Sequence, residues 1–372
     1  MEAIFGNVFQ LDLKMIIMWA VGAALIYLAV KKDMEPTLLL PMGFGAILVN
    51  LPNSGAVTQG HEVGVLDVLY NAGIANELFP LLLFIGIGAM IDFGPLLQNP
   101  KLLIFGAAAQ FGVFAVVVLA CCMGFDIRDA ASIGVIGAAD GPTAIFVSQW
   151  YNSQYTGAIM VAAYSYMALV PIIQPPVIKA LTTKKERMIK MKYEAANVSR
   201  TTRILFPIVV TVVAGLIVPR SVALVGFLMF GNLIRECGVL ESLSNTAQNV
   251  LANLVTIFLG ITIASQMQAE QFLRFDTLLI MGLGLLAFIF DTAGGVFCAK
   301  LVNLFLPQGK KMNPMIGACG ISAFPMSSRV ISKMALAEDK TNFLLMQAAG
   351  VNVGGQVASV IAGGMLLNLI AR

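Results

Sequence analysis

Apolar residues run along this chain in long blocks separated by short polar punctuation. A helix that crosses a bilayer needs about 20 predominantly apolar residues. Blocks approaching that description occupy 15–30, 37–51, 77–93, 101–123, 130–150, 156–178, 204–218, 221–235, 248–266, 276–298, 313–335 and 341–369. Those at 37–51, 204–218 and 221–235 are short, which suits tilted, paired or re-entrant segments. The pattern predicts an all-α polytopic membrane protein with about ten to eleven transmembrane helices.

Composition agrees. The chain of 372 residues is 58% hydrophobic and 12% charged, with a mean hydropathy of +0.87. Soluble domains carry about 25% charged residues. The bilayer is the expected partner, and no nucleic-acid partner is expected. Acidic Glu2 and Asp12 precede the first apolar block without a cleavage motif, so no removable signal peptide is expected. The five cysteines (121, 122, 237, 298, 319) and the single His61 form no metal-ligand spacing. Cys121 and Cys122 read as small core residues, and His61, in a Gly-rich loop, receives no role. Gly43-Phe44-Gly45 and Gly86-Ile87-Gly88 fall inside apolar blocks, so they read as packing glycines rather than nucleotide loops.

One strongly polar stretch, 179–203, interrupts the middle. It holds eight basic residues and two acids, a net of +6 against +3 for the whole chain. By the positive-inside rule it is a cytoplasmic loop. It could be a solvated linker, or it could dock an acidic partner or lipid head groups. It divides a first membrane repeat (1–178) from a second (204–372). Phe84-Ile85-Gly86-Ile87 matches Phe258-Leu259-Gly260-Ile261, and the Gly137/Pro142 spacing matches Gly320/Pro325. Paired broken helices in two inverted repeats are the sequence signature of a transporter binding site.

The chemistry concentrates at those breaks. Gly137-Ala138-Ala139-Asp140-Gly141-Pro142-Thr143-Ala144-Ile145-Phe146 puts an acid and two helix breakers, Gly141 and Pro142, inside an apolar block. A carboxylate at bilayer depth costs about 2.5–3.5 kcal/mol on insertion scales. Broken backbone survives there only inside protein or against a watery cavity. The second break runs from Gly317 to Pro325 and supplies Ser322, with Asn313 before it and Arg329 after it. Asn352 lies among Gly350, Gly354 and Gly355, and Tyr164 and Tyr166 follow Asp140 in the next block. Carboxylate, hydroxyl, amide and unwound carbonyl oxygens suit a hard cation or a proton. Each residue also has a plainer reading. Asp140 could pair with Arg329 only to orient helices. Ser322 and Asn352 could bond backbone, and Tyr164 could sit in an interfacial belt. Asp291 either lies within a span as a second buried acid or ends one.

The stretch 137–146 resembles the signature of the β subunit of biotin-dependent, sodium-pumping decarboxylases, the family acting on oxaloacetate, methylmalonyl-CoA and glutaconyl-CoA. The resemblance extends over nearly the whole chain. It is carried also by 161–171, by Asn313-Pro314 through Arg329-Val330, and by Thr341-Asn342-Phe343-Leu344-Leu345-Met346 with Asn352-Val353. The family's functional positions fall on Asp140, Tyr166, Asn313, Gly317, Ser322, Arg329 and Asn352, each with the family's residue type.

The resemblance implies a subunit of a bacterial inner membrane that decarboxylates carboxybiotin and exports sodium. Biotin would arrive on a carrier subunit, loaded by a carboxyltransferase α subunit, beside a small γ/δ membrane subunit and a homo-oligomeric core. It implies Asp140, Tyr166 and Arg329 as catalytic residues, and Asp140, Asn313, Ser322 and Asn352 as sodium ligands. Arg329 and Asn352 would meet carboxybiotin, and Tyr166 would relay the proton. A chain shorter than oxaloacetate-type subunits leans towards an acyl-CoA substrate. The alternative from another class is a sodium/proton antiporter that uses the same buried acid without biotin.

Overall fold

The computed structural model describes residues 10–191, 198–307 and 309–370. Residues 192–197 of the basic stretch, with Lys192 and Glu194, lie outside it, as does Glu2. Every regular element among the described residues is helical. We number the main helices α1 (Leu13–Lys32), α2 (Pro36–Val49), α3 (Leu78–Met90), α4 (Leu103–Ala109), α5 (Phe111–Cys122), α6 (Ile127–Gly134) and α7 (Gly141–Trp150). The remainder are α8 (Thr156–Leu181), α9 (Arg200–Ile217), α10 (Val222–Glu236), α11 (Ala252–Ile263), α12 (Phe275–Phe305), α13 (Met326–Glu338) and α14 (Leu345–Leu369).

The all-α, multi-pass membrane architecture agrees with the sequence pattern. Among the described residues seven helical segments are long and apolar enough to cross a bilayer, or eight if the bent pair Val65–Ile74 and Leu78–Met90 is one span. By length and composition alone, the expected ten to eleven crossings are therefore not reached. α2 and α10, at 14 and 15 residues, fall below the length of a full span. The hydrophobic window of α14 is 83% buried, whereas those of α1 and α9 are 17% and 11% buried. α14 is thus a central rod, and α1 and α9 face outward.

Two blocks expected as spans, 130–150 and 313–335, are instead hairpins. A straight helix over the first would separate its ends by about 30 Å. Yet Ser153 donates to Asp129 at 2.5 Å, and the Phe125 and Tyr155 rings meet edge-on at 5.6 Å. The chain enters through α6 and a 3-10 turn, Val135–Ala138, reverses at Ala139 and Asp140, and returns through α7. The breakers do more than kink the helix. Ala139 takes φ +51°, the left-handed region that costs an L-residue roughly 1–2 kcal/mol, and Pro142 then starts α7 with its missing N–H harmless.

The second hairpin enters through a 3-10 arm, Pro314–Gly320, and leaves through α13. Both its ends are fastened to the described part of the basic stretch. Asn313 donates to the carbonyls of Arg187 and Ile189 at 2.8 and 2.9 Å, while Arg187 pairs with Glu338 at 2.6 Å and Lys190 with Asp339 at 2.9 Å. The Arg187 guanidinium holds Glu338 below its usual range. Thr341, with Lys190, holds Asp339 down at about 2. The clamp is therefore fully charged near neutrality; its Asp339 half loosens as pH falls towards about 2, and its Glu338 half loosens only below the ordinary glutamate range.

Helix α8 shows how the hairpins are disposed. Its first residue, Thr156, donates to the Ser153 carbonyl at the base of hairpin 1. Beyond its last turn, Thr182 accepts from Arg187 at the base of hairpin 2. Its 26 residues rise about 39 Å. The hairpins therefore enter from opposite ends of the bundle. Their tips meet where the Ser322 amide donates to the Ala138 carbonyl at 2.9 Å.

α12 seats both hairpins. A β-carbon on Gly295 would come within 2.0 Å of the Gly317 carbonyl oxygen, so backbone lies directly on backbone there. Gly295→Ala should lower thermal stability in detergent by about 1–3 kcal/mol, the cost of overpacking against an unyielding neighbour. Gly282 is the control: it lies on the same helix, and a β-carbon on it would meet nothing within 4 Å. Gly282→Ala should leave the melting temperature unchanged or raise it, because alanine is the better helix former.

Candidate functional site

Asp140 is the N-cap of α7 and is 2% exposed. Placement at the positive end of the helix dipole favours its charge. Its Oδ1 accepts from the Thr143 amide at 3.4 Å. Its Oδ2 accepts from three hydroxyls: Thr143 at 2.8 Å, Ser359 at 2.9 Å and Ser322 at 3.2 Å. The three hydroxyls come from hairpin 1, the central helix α14 and hairpin 2. A hydroxyl brings two lone pairs beside its donor hydrogen. The group can therefore turn from solvating a carboxylate to coordinating a hard cation with it, four oxygens from three elements.

A cavity of about 230 Å³ adjoins this cluster. Asp140, Ser322, Tyr164, Gln356, Arg329 and Glu35 contribute its polar wall. Gly141 matters here because a β-carbon on it would lie 2.3 Å from the Tyr164 ring. That close approach lays the ring over the start of α7. The Tyr164 hydroxyl is buried with no hydrogen-bond partner among the described residues. Arg329 is exposed in the first turn of α13, and no ion pair joins it to Asp140 among the described residues.

The structure brings together Asp140, Ser322 and Arg329 with the breakers Pro142 and Pro325 around one cavity. Other candidates stand apart from it. The Tyr166 hydroxyl donates to the Met281 carbonyl at 2.6 Å, and Tyr166 does not line the cavity. Asn313 sits at the far end of the 3-10 arm, capping Met315 and holding the linker. Gly317 packs in that arm against Gly295 rather than at the bend. Asn352 donates to the carbonyls of Ile321 and Cys319 at 2.8 and 3.3 Å, which fixes the tip of hairpin 2. Its own Oδ1 is buried without a partner among the described residues.

Asp291 lies within α12, fully buried, with Oδ1 accepting from the Val113 amide at 3.0 Å where α4 gives way to α5. Ser359 is absent from the sequence candidates. Its spacing of seven from Asn352 puts both on one face of α14, and that is the signal available for it. Gln356 and Glu35 carry no comparable mark.

A buried carboxylate caged by hydroxyls, where two opposed hairpins meet, defines a multi-pass membrane protein with an intramembrane polar site. A family model described as the Na+-transporting oxaloacetate decarboxylase beta subunit matches residues 14–370. The chain is 49% identical to a methylmalonyl-CoA decarboxylase subunit beta of Veillonella parvula, covering 96% of this chain and 93% of that one. It is 47% identical to a glutaconyl-CoA decarboxylase subunit beta of Acidaminococcus fermentans, covering 95% and 92%. It is 44% identical to the oxaloacetate decarboxylase beta chain of Klebsiella pneumoniae, covering 95% and 94%. The chain belongs to the family of β subunits of sodium-transporting decarboxylases, and so is a membrane subunit of a decarboxylase complex.

The clamp at Asn313 can be tested without any transport assay. Asn313→Ala leaves the Ile189 carbonyl without this donor, while the Arg187 carbonyl keeps the Asn342 amide at 3.0 Å. The loss of these partly buried bonds costs about 0.5–1.5 kcal/mol. Trypsin should then cut the purified protein after Arg187 and Lys190 at least fivefold faster than wild type. An unchanged cleavage rate would remove the clamp from the role of Asn313.

Proposed function

We propose that this chain decarboxylates carboxybiotin brought by a separate carrier subunit and couples that step to sodium export. The observation that carries this reading is the Asp140 cluster. A carboxylate and the hydroxyls of Thr143, Ser322 and Ser359 form one hard-oxygen set, joined from both hairpins and α14. Sodium is the cargo such a set suits. Asn352, which holds the hairpin 2 tip and keeps one oxygen unpaired among the described residues, supports the set from behind.

The cavity beside the cluster is the substrate's place in this reading. Its wall at Glu35, Met90 and Arg329 comes from the end of the bundle that carries the basic stretch, because Met90 accepts from Arg235, and Arg203 pairs with Glu236. That end is cytoplasmic by the positive-inside rule, in a bacterial inner membrane. Carboxybiotin enters there and its carboxylate meets Arg329, the exposed guanidinium of the cavity. Loss of CO2 leaves the ring nitrogen to take up a proton. The Tyr164 hydroxyl, buried in the cavity wall and unpartnered among the described residues, supports it as a proton carrier. Tyr166, the carrier that the resemblance implies, has its hydroxyl engaged with Met281.

Sodium and the proton compete for one carboxylate, because a nearby cation favours its charged form. Proton arrival at Asp140 then releases sodium. The halves 1–178 and 204–372 act as inverted repeats, each supplying one hairpin, and one bundle moves against the other to change the side to which Asp140 opens. The complex includes a carboxyltransferase α subunit and a small γ/δ subunit. An acyl-CoA is the favoured carboxyl source, since the chain is 49% and 47% identical to the methylmalonyl-CoA and glutaconyl-CoA relatives against 44% to the oxaloacetate one.

The test is carboxybiotin turnover by the purified complex, with and without sodium, alongside sodium uptake in proteoliposomes. Wild type should be stimulated by sodium. Asp140→Asn should lower both activities at least a hundredfold; wild-type pumping by that variant would sink the reading. Ser359→Ala should raise the half-saturating sodium concentration about tenfold, because a hydrogen bond to a charged group is worth about 1.5–3 kcal/mol. Its maximal rate should stay within about threefold.

A further inference from the structure

Three charged side chains line the cavity: Asp140, Arg329 and Glu35. Asp140 is fully enclosed, Glu35 is half-buried and Arg329 is exposed, so the last two lie nearer the opening. Arg329 is poorly placed for helix stability. It occupies the first turn of α13, where the positive end of the dipole disfavours a cation. Among the described residues no carboxylate lies within 4 Å of it. A guanidinium held against the dipole, without a salt bridge and on a cavity wall, is free to meet an anionic ligand.

Glu35 faces it from a different element. The turn between α1 and α2 carries it as the N-cap residue of α2, with φ +36°, a conformation that L-residues rarely adopt. Neighbouring Met34 is buried and anchors that turn in the core formed by α1, α2 and α11. Burial pushes the Glu35 carboxyl above its usual range, Arg329 pulls it back, and Asp33 adds to the rise. Glu35 and Arg329 therefore share one electrostatic field across the cavity. Among the described residues the Glu35 side chain makes no ion pair within 4 Å, so its charge is opposed by Arg329 alone among the cavity's side chains.

We propose that Glu35 is the charge-selecting residue of this site: it balances Arg329 until a substrate carboxylate arrives, and it keeps the cavity attractive to sodium. The inference rests on the reading that Arg329 meets the carboxylate of carboxybiotin. With Glu35 present, two acids and one base give the lining a net charge of −1. Without it the sum is zero. Arg329 would then hold anions more tightly, the substrate carboxylate included, and would oppose the sodium bound at Asp140. Glu35 is thus a positioning residue for charge rather than a group that touches the reacting atoms.

The experiment uses the whole complex, with free carboxybiotin as the probe and the sodium dependence measured in parallel. Glu35→Gln should lower KM for carboxybiotin about fivefold and raise the half-saturating sodium concentration about threefold, with kcat within about twofold. Charges separated by a partly wet cavity interact on that scale. Both shifts should shrink between low and high choline chloride, because the groups are partly exposed. Glu35→Asp should behave as wild type, since charge and not length is at issue. Glu35→Ser should follow Glu35→Gln and serves if the glutamine variant fails to assemble. Unchanged constants, two constants moving in the same direction, or an Asp variant that copies the Gln variant would each overturn the proposal. Wild-type turnover indifferent to sodium or absent would instead overturn the decarboxylase reading beneath it, which separates the two failures.

Discussion

Everything in this structure answers to one carboxylate placed where water is scarce. A bare charge in a dry interior costs several kcal/mol, and only polar groups held in place can offset it. Asp140 obtains them from three separate elements, since Thr143, Ser322 and Ser359 all donate to one of its oxygens. No two of those hydroxyls come from the same tertiary element. The fold must therefore bring both hairpin tips and α14 to a single point. The Ser322–Ala138 backbone bond is the direct mark of that convergence.

Convergence of backbones requires that side chains be absent. Gly295 against Gly317 shows this between two backbones, and Gly141 against the Tyr164 ring shows it between backbone and side chain. In a bilayer, helices gain little from hiding apolar surface, because lipid tails are equally apolar. Close backbone approach and interhelical hydrogen bonds do the holding. Asn313, Arg187 and Lys190 then fasten the open end of hairpin 2 from outside the apolar layer. The polar stretch is consequently part of the frame of hairpin 2 as well as a connection between halves.

Much of this is legible in the sequence, and the reasons differ by residue. Asp140 stands out because an acid in an apolar block carries a cost that only a site justifies. Gly141, Pro142 and Pro325 mark the breaks through their backbone chemistry. The reversal of the chain is not legible: an apolar block reads alike whether it crosses the bilayer or returns, and it takes a tertiary contact such as Asp129–Ser153 to distinguish the two. Ser359 is hidden because a serine in a membrane helix ordinarily bonds its own backbone, and the Gln356 carbonyl at 3.0 Å is the competing acceptor for its single hydrogen. Asn313 and Tyr166 are legible as residues with a polar task but not as to which task, since a side chain's partner is set by tertiary packing. Glu35 lies in a turn, where acids are common.

The split origin of the cage has a consequence for coupling. If hairpin 2 withdrew from hairpin 1, Asp140 would lose the Ser322 hydroxyl while keeping that of Thr143, which belongs to its own helix turn. The charged carboxylate would then be under-solvated, and a proton or a cation would have to make up the difference. Separation of the hairpins and the occupancy of Asp140 would then be linked. A carboxylate solvated by a single rigid helix would have no such link, because no relative motion could alter its surroundings. The separation of its partners onto elements entering from opposite ends of the bundle is what makes the charge state of one residue sensitive to the arrangement of the whole.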